Sequence, residues 1–339
     1  MTATLTTTLR RAAVVTIYVA MFVALVVLFL PLAGVTAIVD LARRQRWTAT
    51  RTLVFFVWYL GCELVGLLAS LAIWLAWGPR TGADRERFLA SNYDLQAWWA
   101  TVLGKGAFRI FGVRLEVHDH GYDFGRRPLL VFIRHASTAD TVLAAMLLCV
   151  PHGLRLRYVL KRELLWDPCL DIVGNRLPNV FVQRDSAQTE QEVQAVAALA
   201  RDLRPGHGVL IYPEGTRFSR AKKARIVAKL RGEGREAAAD EAESLRHVLR
   251  PRSGGPLALL EAAPEADAIF IAHTGFEGSA SFDRFFNGGL IDRTVHVGMH
   301  VVRAEDIPAS PEGRRVWLME QWRRVDDFID AHQGATTDA

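Results

Sequence analysis

The sequence predicts an α/β protein: a mostly parallel mixed sheet flanked by helices, preceded by an N-terminal two-helix membrane hairpin. Three observations predict it. From residue 129 onward, short runs rich in Val, Ile and Leu alternate with helical stretches, as in strand–helix–strand units. Two long apolar runs fill most of the first eighty residues. Polar or basic residues recur just after several apolar runs, where ligands collect in open α/β sheets.

The 339 residues allow one large domain or two ordinary ones. Lys and Arg number 41 against 36 Asp and Glu, a net charge of +5. That balance suits an anionic membrane surface, a phosphorylated substrate or nucleic acid. Nucleic acid is excluded by the apolar N-terminus and by the lack of aromatic residues among the basic ones. Three scattered cysteines, Cys62, Cys149 and Cys169, make neither a disulfide framework nor a thiolate metal site, and fit a reducing, cytoplasmic setting.

Residues 12–39 carry no charge. As a helix they reach about 40 Å, enough to cross a bilayer core of about 30 Å. The run is too long for a cleaved leader. A second run, residues 52–77, is interrupted only by Glu63. Between them lie Arg43, Arg44, Arg46 and Arg51. Two full crossings put that turn opposite the remaining domain, in competition with Arg10, Arg11, Arg80, Arg85 and Arg87 for the cytoplasmic side. A hairpin dipping into one leaflet, bent at Pro31, removes the conflict. Both readings stay open here. Either way residues 1–80 are expected to form a membrane element, with residues 81–339 expected as a separate domain on the cytoplasmic side of an inner membrane.

In that domain a helix is expected near 94–111. Strands are expected at 129–133, 156–160, 180–182, 209–212, 268–272 and 295–302. Helices are expected at 138–150, 163–173, 188–203 and 255–262. A charge-rich segment, 221–243, reads as an exposed inserted helix. The tail, 311–332, puts Leu318, Trp322, Val325 and Ile329 on one face, as a docking helix does.

The apolar run before "RHASTAD" ends just ahead of His135. In one continuous helix His135 and Asp140 stand about 140° apart and cannot meet. With His135 in a strand-to-helix turn, capped by Ser137 or Thr138, the loop can fold Asp140 back onto it. A carboxylate on one ring nitrogen then fixes the tautomer and leaves the other nitrogen to accept a proton. The bland reading is a strand-ending histidine and an acidic residue in a helix's first turn. "GVLIYPEGTRFS" ends a second strand with Glu214, Gly215, Thr216 and Arg217, and Arg217 suits a phosphate. Lys161, Arg176 and Arg184 lie near other strand ends.

Together "RHASTAD", "KRELLWDPCLDIVGNRLPNVFVQR" and "YPEGTRFS" resemble the successive motif blocks of the glycerolipid acyltransferases whose type member is 1-acylglycerol-3-phosphate acyltransferase. The resemblance runs from about Arg127 to Arg220. "HVLRPRSGGPLALL" is similar to a block of the lysocardiolipin and lysophosphatidylinositol branch, and "AIFIAHTG" loosely to the family's fourth block. The resemblance implies that fold and an N-terminal hydrophobic hairpin. It implies His135 as general base, oriented by Asp140, for attack of the sn-2 hydroxyl of a 1-acyl-glycerol-3-phosphate on an acyl-coenzyme A or acyl carrier protein thioester. The product is phosphatidic acid. Glu214, Gly215, Thr216 and Arg217 line the acceptor site on this reading, with Lys161 and Arg184 completing a cationic wall. No cofactor or metal is implied. Two departures stand out: Arg134 before the histidine, which brings a cation near the base, and Leu177-Pro178 where the family commonly has glycine.

Rival readings are another lysophospholipid acceptor, a hydrolase using the same base on water, and a non-catalytic lipid-binding protein. His296 and His300, four apart in a strand, read as a polar sheet face rather than a metal pair. Phe276, Phe282, Phe285 and Phe286 read as packing beneath a loop, with a membrane-contacting lip as the alternative. Glu63 is expected to snorkel or to face the hairpin interior.

Overall fold

Seven strands make one sheet in the computed structural model, which describes residues 2–78, 81–119, 121–182 and 190–333. They are β1 (Arg114–His118), β2 (Leu129–Ile133), β3 (Arg155–Lys161), β4 (Val180–Val182), β5 (His207–Ile211), β6 (Asp267–Thr274) and β7 (Thr294–Val302). Their spatial order is β1-β7-β6-β2-β5-β3-β4. The pairs are parallel, except that β6 and β7 run antiparallel. This is the mostly parallel mixed sheet that the alternation predicts. Six strands fall on the six apolar runs. The edge strand β1 was not among them: its Arg-Leu-Glu-Val-His is short, half charged and mostly exposed.

β2 and β6 are buried along their whole length, as strands covered on both faces must be. Phe132 and Phe270 face Trp317 and Trp322 of the C-terminal helix, Pro311–Gln333. Ile133 and Ile271 face the other way, toward Phe111 and Phe276. The expected docking stripe of the C-terminal helix, Leu318, Trp322, Val325 and Ile329, is buried throughout.

Several helices depart from expectation. Residues 138–150 are not one α-helix but a 3₁₀ turn, Ala139–Val142, followed by a π-helical turn, Ala145–Cys149. Residues 163–173 break at Pro168, where Asp167 caps the helix Pro168–Gly174 by accepting the Leu170 N–H at 2.9 Å. The inserted segment forms two helices, Arg220–Gly232 and Glu236–Ser244.

The N-terminal element contains three helices: α1 (Thr2–Val27), α2 (Phe29–Ala42) and α3 (Thr48–Trp77). Pro31 offers no N–H to the Val27 carbonyl and its ring crowds that carbonyl, so the first apolar run breaks at Leu28. Asp40, buried on α2, accepts the Ala49 and Thr50 N–H groups at 2.9 Å each and so closes the start of α3. α1 and α2 both pack on α3, and α3 packs along α4 (Ala83–Phe111). Both ends of the hairpin are tied to the sheet domain. Arg10 and Arg11 pair with Asp171 at 2.9 and 3.0 Å. At the arginine-rich turn, Arg51 reaches Asp292 at 3.3 Å and the Phe111 carbonyl at 3.1 Å. Arg80 of the third basic cluster lies outside the described residues. Leu5–Val27 and Thr48–Trp77 are long and apolar enough to cross a membrane. Their outward side chains, Ile17, Val27, Leu68 and Leu75 among them, are exposed. Glu63 is buried, its carboxylate accepting the Cys169 N–H at 3.2 Å.

Candidate active site

β2 ends at Ile133, and the extended chain beyond it sends Arg134 and His135 to opposite sides. His135 Nδ1 donates to Asp140 Oδ1 at 3.0 Å, with Oδ2 at 3.3 Å. Asp140 also accepts the N–H groups of Ala136 and Ser137, at 2.7 and 2.8 Å on Oδ2. The loop therefore folds around the carboxylate, and a single turn of tight helix brings residues five apart into contact. Burial pushes the Asp140 carboxyl up, but the His135 ring and these hydrogen bonds outweigh it and hold the carboxyl below its ordinary value. With Nδ1 engaged, Nε2 is the basic nitrogen. The expected hydroxyl cap takes a different form: the Ala139 N–H donates to Ser137 Oγ at 3.1 Å, while Thr138 accepts from Arg217.

The second motif holds this turn in place. The Phe218 N–H donates to the His135 carbonyl at 2.9 Å. Glu214 does not line the site as expected. It is buried behind the turn, accepting the His135 N–H at 2.9 Å and the Leu249 N–H at 2.8 Å. Burial raises its carboxyl to about 7 against the opposing pull of those two donors. Gly215 sits at φ 67°, and a Cβ there would stand 3.0 Å from Arg252 Nε, so glycine meets both a backbone and a space requirement. Arg217 donates to Thr138 Oγ1 at 3.1 Å, and Lys222 donates to Thr216 Oγ1 at 3.0 Å.

Arg134 does not point at the His135 ring. Fully buried, it donates to the His273 carbonyl and to Glu277, at 2.6 Å each, and to the His247 carbonyl at 3.0 Å. It ties the ends of β2 and β6 to the loop at His247. His273 on β6 was missed by the sequence reading. Its Nε2 donates to the Arg134 carbonyl at 3.0 Å and lies 3.5 Å from Asp140 Oδ2. Burial holds His273 below its ordinary value, which keeps it neutral beside Asp140. A polar residue closing the apolar run "AIFIAHT" was the available signal. Ser279 was also missed; it shares a 2.7 Å contact with Ser137 Oγ.

His135, Gly215, Thr216, Arg217 and Lys161 open on one cavity of about 970 Å³. Lys222, Arg225 and Arg252 add further positive charge to its wall. Phe55, Tyr59, Trp99 and Leu103, from the hairpin and α4, supply an apolar wall. Arg176 is elsewhere, bonded to the Ser70 carbonyl at 2.9 Å. Arg184 lies outside the described residues. The four phenylalanines divide: Phe276 is fully buried, Phe285 packs on Phe55 and Phe111, and Phe282 and Phe286 are exposed beside the cavity and hairpin.

Residues 114–264 match a family model described as Acyltransferase. The chain is 24% identical over 178 residues to the probable 1-acyl-sn-glycerol-3-phosphate acyltransferase 5 of Arabidopsis thaliana, covering 52% of this chain and 45% of that one. It is 22% identical over 238 residues to lysocardiolipin acyltransferase 1 of Gallus gallus, covering 69% and 61% respectively. The chain thus spans about half the length of the curated relatives it matches. Among solved structures, the 1-acyl-sn-glycerophosphate (LPA) acyltransferase PlsC of Thermotoga maritima matches with a TM-score of 0.49 at 14% identity, over 83% of this chain and 98% of that one.

Proposed function

We propose that the chain, whose residues 114–264 match the Acyltransferase family model, is a glycerolipid acyltransferase that transfers a fatty acyl group from an acyl thioester to the sn-2 hydroxyl of 1-acyl-glycerol-3-phosphate, giving phosphatidic acid. The observation that carries the reading is the His135–Asp140 pair opening on a single cavity with a cationic and an aromatic wall. Such a cavity suits a molecule with an anionic headgroup and a fatty chain, and a binding module has no need of an oriented base.

His135 Nε2 takes the hydroxyl proton as the oxygen attacks the thioester carbonyl. The tetrahedral species then collapses, the C–S bond breaks, and the imidazolium returns its proton to the departing thiolate. Asp140 stabilises the imidazolium in between. Arg217 and its cationic neighbours bind the phosphate, bidentate through the guanidinium. The donor is acyl-coenzyme A or an acyl carrier protein. Residues 1–80 attach the enzyme to the cytoplasmic face of the inner membrane, with residues 81–339 as the catalytic domain. A second acceptor class, lysocardiolipin or lysophosphatidylinositol, is favoured by the segment His247–Leu260 and by the lysocardiolipin relative.

The test uses purified protein in detergent with an acyl-coenzyme A and a panel of lysophospholipids, following thiol release and lipid product. We expect diacyl product that requires lysophosphatidic acid, and a loss of about 10²–10⁴-fold in His135→Ala. Turnover only with lysophosphatidylinositol or lysocardiolipin moves the acceptor. Free fatty acid in place of lipid product makes it a hydrolase. Silence with every acceptor and both donor types, in folded protein, overturns the proposal.

A further inference from the structure

On the opposite face of the sheet from His135, three histidines and a carboxylate converge from three distant segments. Glu116 and His118 stand two apart on β1, so both project to one face. β1 and β7 pair in parallel with Glu116 opposite His296. The fourth group, His332, comes from the last turn of the C-terminal helix. Its position has a cause. Gly298 on β7 has no Cβ, and the Phe328 ring fills that space so closely that a Cβ would stand 2.5 Å from it. One helical turn later, His332 stacks on Phe328 with ring centroids 4.1 Å apart. That puts its ring 4.9 Å from His118 and 5.4 Å from His296, while His118 and His296 are 5.9 Å apart.

We propose that Glu116, His118, His296 and His332 form a binding site for a divalent, zinc-class cation. Imidazole nitrogens about 2.0 Å from a tetrahedral zinc hold their ring centroids about 5 Å apart, and an adjacent carboxylate oxygen stands about 3.3 Å from a ligating nitrogen. The three ring separations straddle the first value. Glu116 Oε2 and His296 Nδ1, 3.1 Å apart, match the second. One donor atom each from Glu116, His118 and His296 lies within 4.8 Å of the others, and the exposed Glu116 and His118 side chains close that gap by rotation.

Two observations separate this cluster from an ordinary polar sheet face. His296 is 7% exposed, and although its Nδ1 lies 3.1 Å from Glu116 Oε2, its Nε2 has no hydrogen-bond partner among the described residues. A buried imidazole left that way is costly unless something binds it. And His332 Nδ1 donates to the Phe328 carbonyl at 2.8 Å, the outer contact by which metal-binding histidines fix a tautomer and present Nε2. With three imidazoles and a carboxylate, the donor set favours zinc over magnesium or calcium. Four protein ligands leave no open position, so the ion is structural, cross-linking the edge strand to the C-terminal helix. No single stretch of sequence carries the pattern, which is why the expectation of no metal site is natural from the sequence. His300, the partner suggested by spacing, bonds Gln321 at 3.2 Å and stacks on Phe270 instead.

The test uses the full, untagged chain in detergent, stripped with EDTA and titrated with zinc in competition with a chromophoric chelator. One equivalent should bind. Cobalt in its place should give the visible absorption of a four-coordinate site. His118→Ala, His296→Ala and His332→Ala should each weaken binding by more than about tenfold, and His300→Ala should leave it unchanged. If His296→Ala fails to fold, the more exposed His118 and His332 variants still decide. No stoichiometric binding by the wild type, or binding that His118→Ala and His332→Ala leave unaltered, overturns the site.

Discussion

Glu214 shows how a residue can matter to a site without touching its contents. Its two oxygens accept backbone N–H groups from His135 and from Leu249, so it sets where that histidine stands. Its carboxyl is raised from 4.5 to about 7 by burial, so the folded chain binds this proton more tightly than the unfolded one. The resulting stability is fully present below pH 4.5 and is lost as pH rises through 7, at most on the order of 3 kcal/mol. Glu214→Gln removes the titration. The melting-temperature advantage of wild type over Glu214→Gln should therefore shrink steadily between pH 4.5 and 8. A difference that stays flat across that window means that Glu214 is ionised throughout. At this scale the sequence was informative about where His135, Asp140 and Arg217 stand, because a turn after a strand end lets the first two meet and brings the third to the same cavity. It was misleading about Glu214 and Arg134, since which way a side chain turns is decided by partners far along the chain, such as Leu249 and Glu277.

The same division holds for elements. Six strands were legible because each carries a short run rich in Val, Ile and Leu, and in β2 and β6 that run is buried on both faces. β1 was not, because an edge strand buries little and its alternation spans only five residues. The helix expected over residues 138–150 failed for a local reason: Asp140 Oδ2 accepts both the Ala136 and Ser137 N–H groups, which tightens the first turn. Further on, β7 and the C-terminal helix are coupled through one glycine. Gly298→Ala forces its new methyl into the Phe328 ring, and overpacking of that kind costs about 1–3 kcal/mol. Chemical denaturation should show that loss. The same substitution should weaken zinc binding, because Phe328 and His332 move together on one helical turn. Full stability in Gly298→Ala would mean that the helix gives way freely.

For the whole molecule the open question is how the hairpin meets the bilayer. Two full crossings put the turn between α2 and α3 on the far side from the sheet. In the structure that turn is bonded to the sheet domain through Arg51, Asp292 and the Phe111 carbonyl, and the start of α1 is bonded to it through Arg10, Arg11 and Asp171. Separating those charges by a hydrocarbon layer would break all of these contacts. α3 moreover lies along α4, whose Phe108 and Phe111 belong to the domain core, so it cannot leave for the bilayer without exposing them. On the proposed membrane attachment these contacts fit a hairpin lying in one leaflet, which would set the outward residues Leu68 and Leu75 against lipid, with Trp58 and Trp74 exposed on the same helix. The three native cysteines are buried, so single reporter cysteines can be read against a quiet background. Arg43→Cys in the turn and Glu265→Cys before β6 both occupy exposed positions. In sealed vesicles a membrane-impermeant maleimide should label both from the same side. Labelling from opposite sides would establish two crossings and require the turn to leave Asp292.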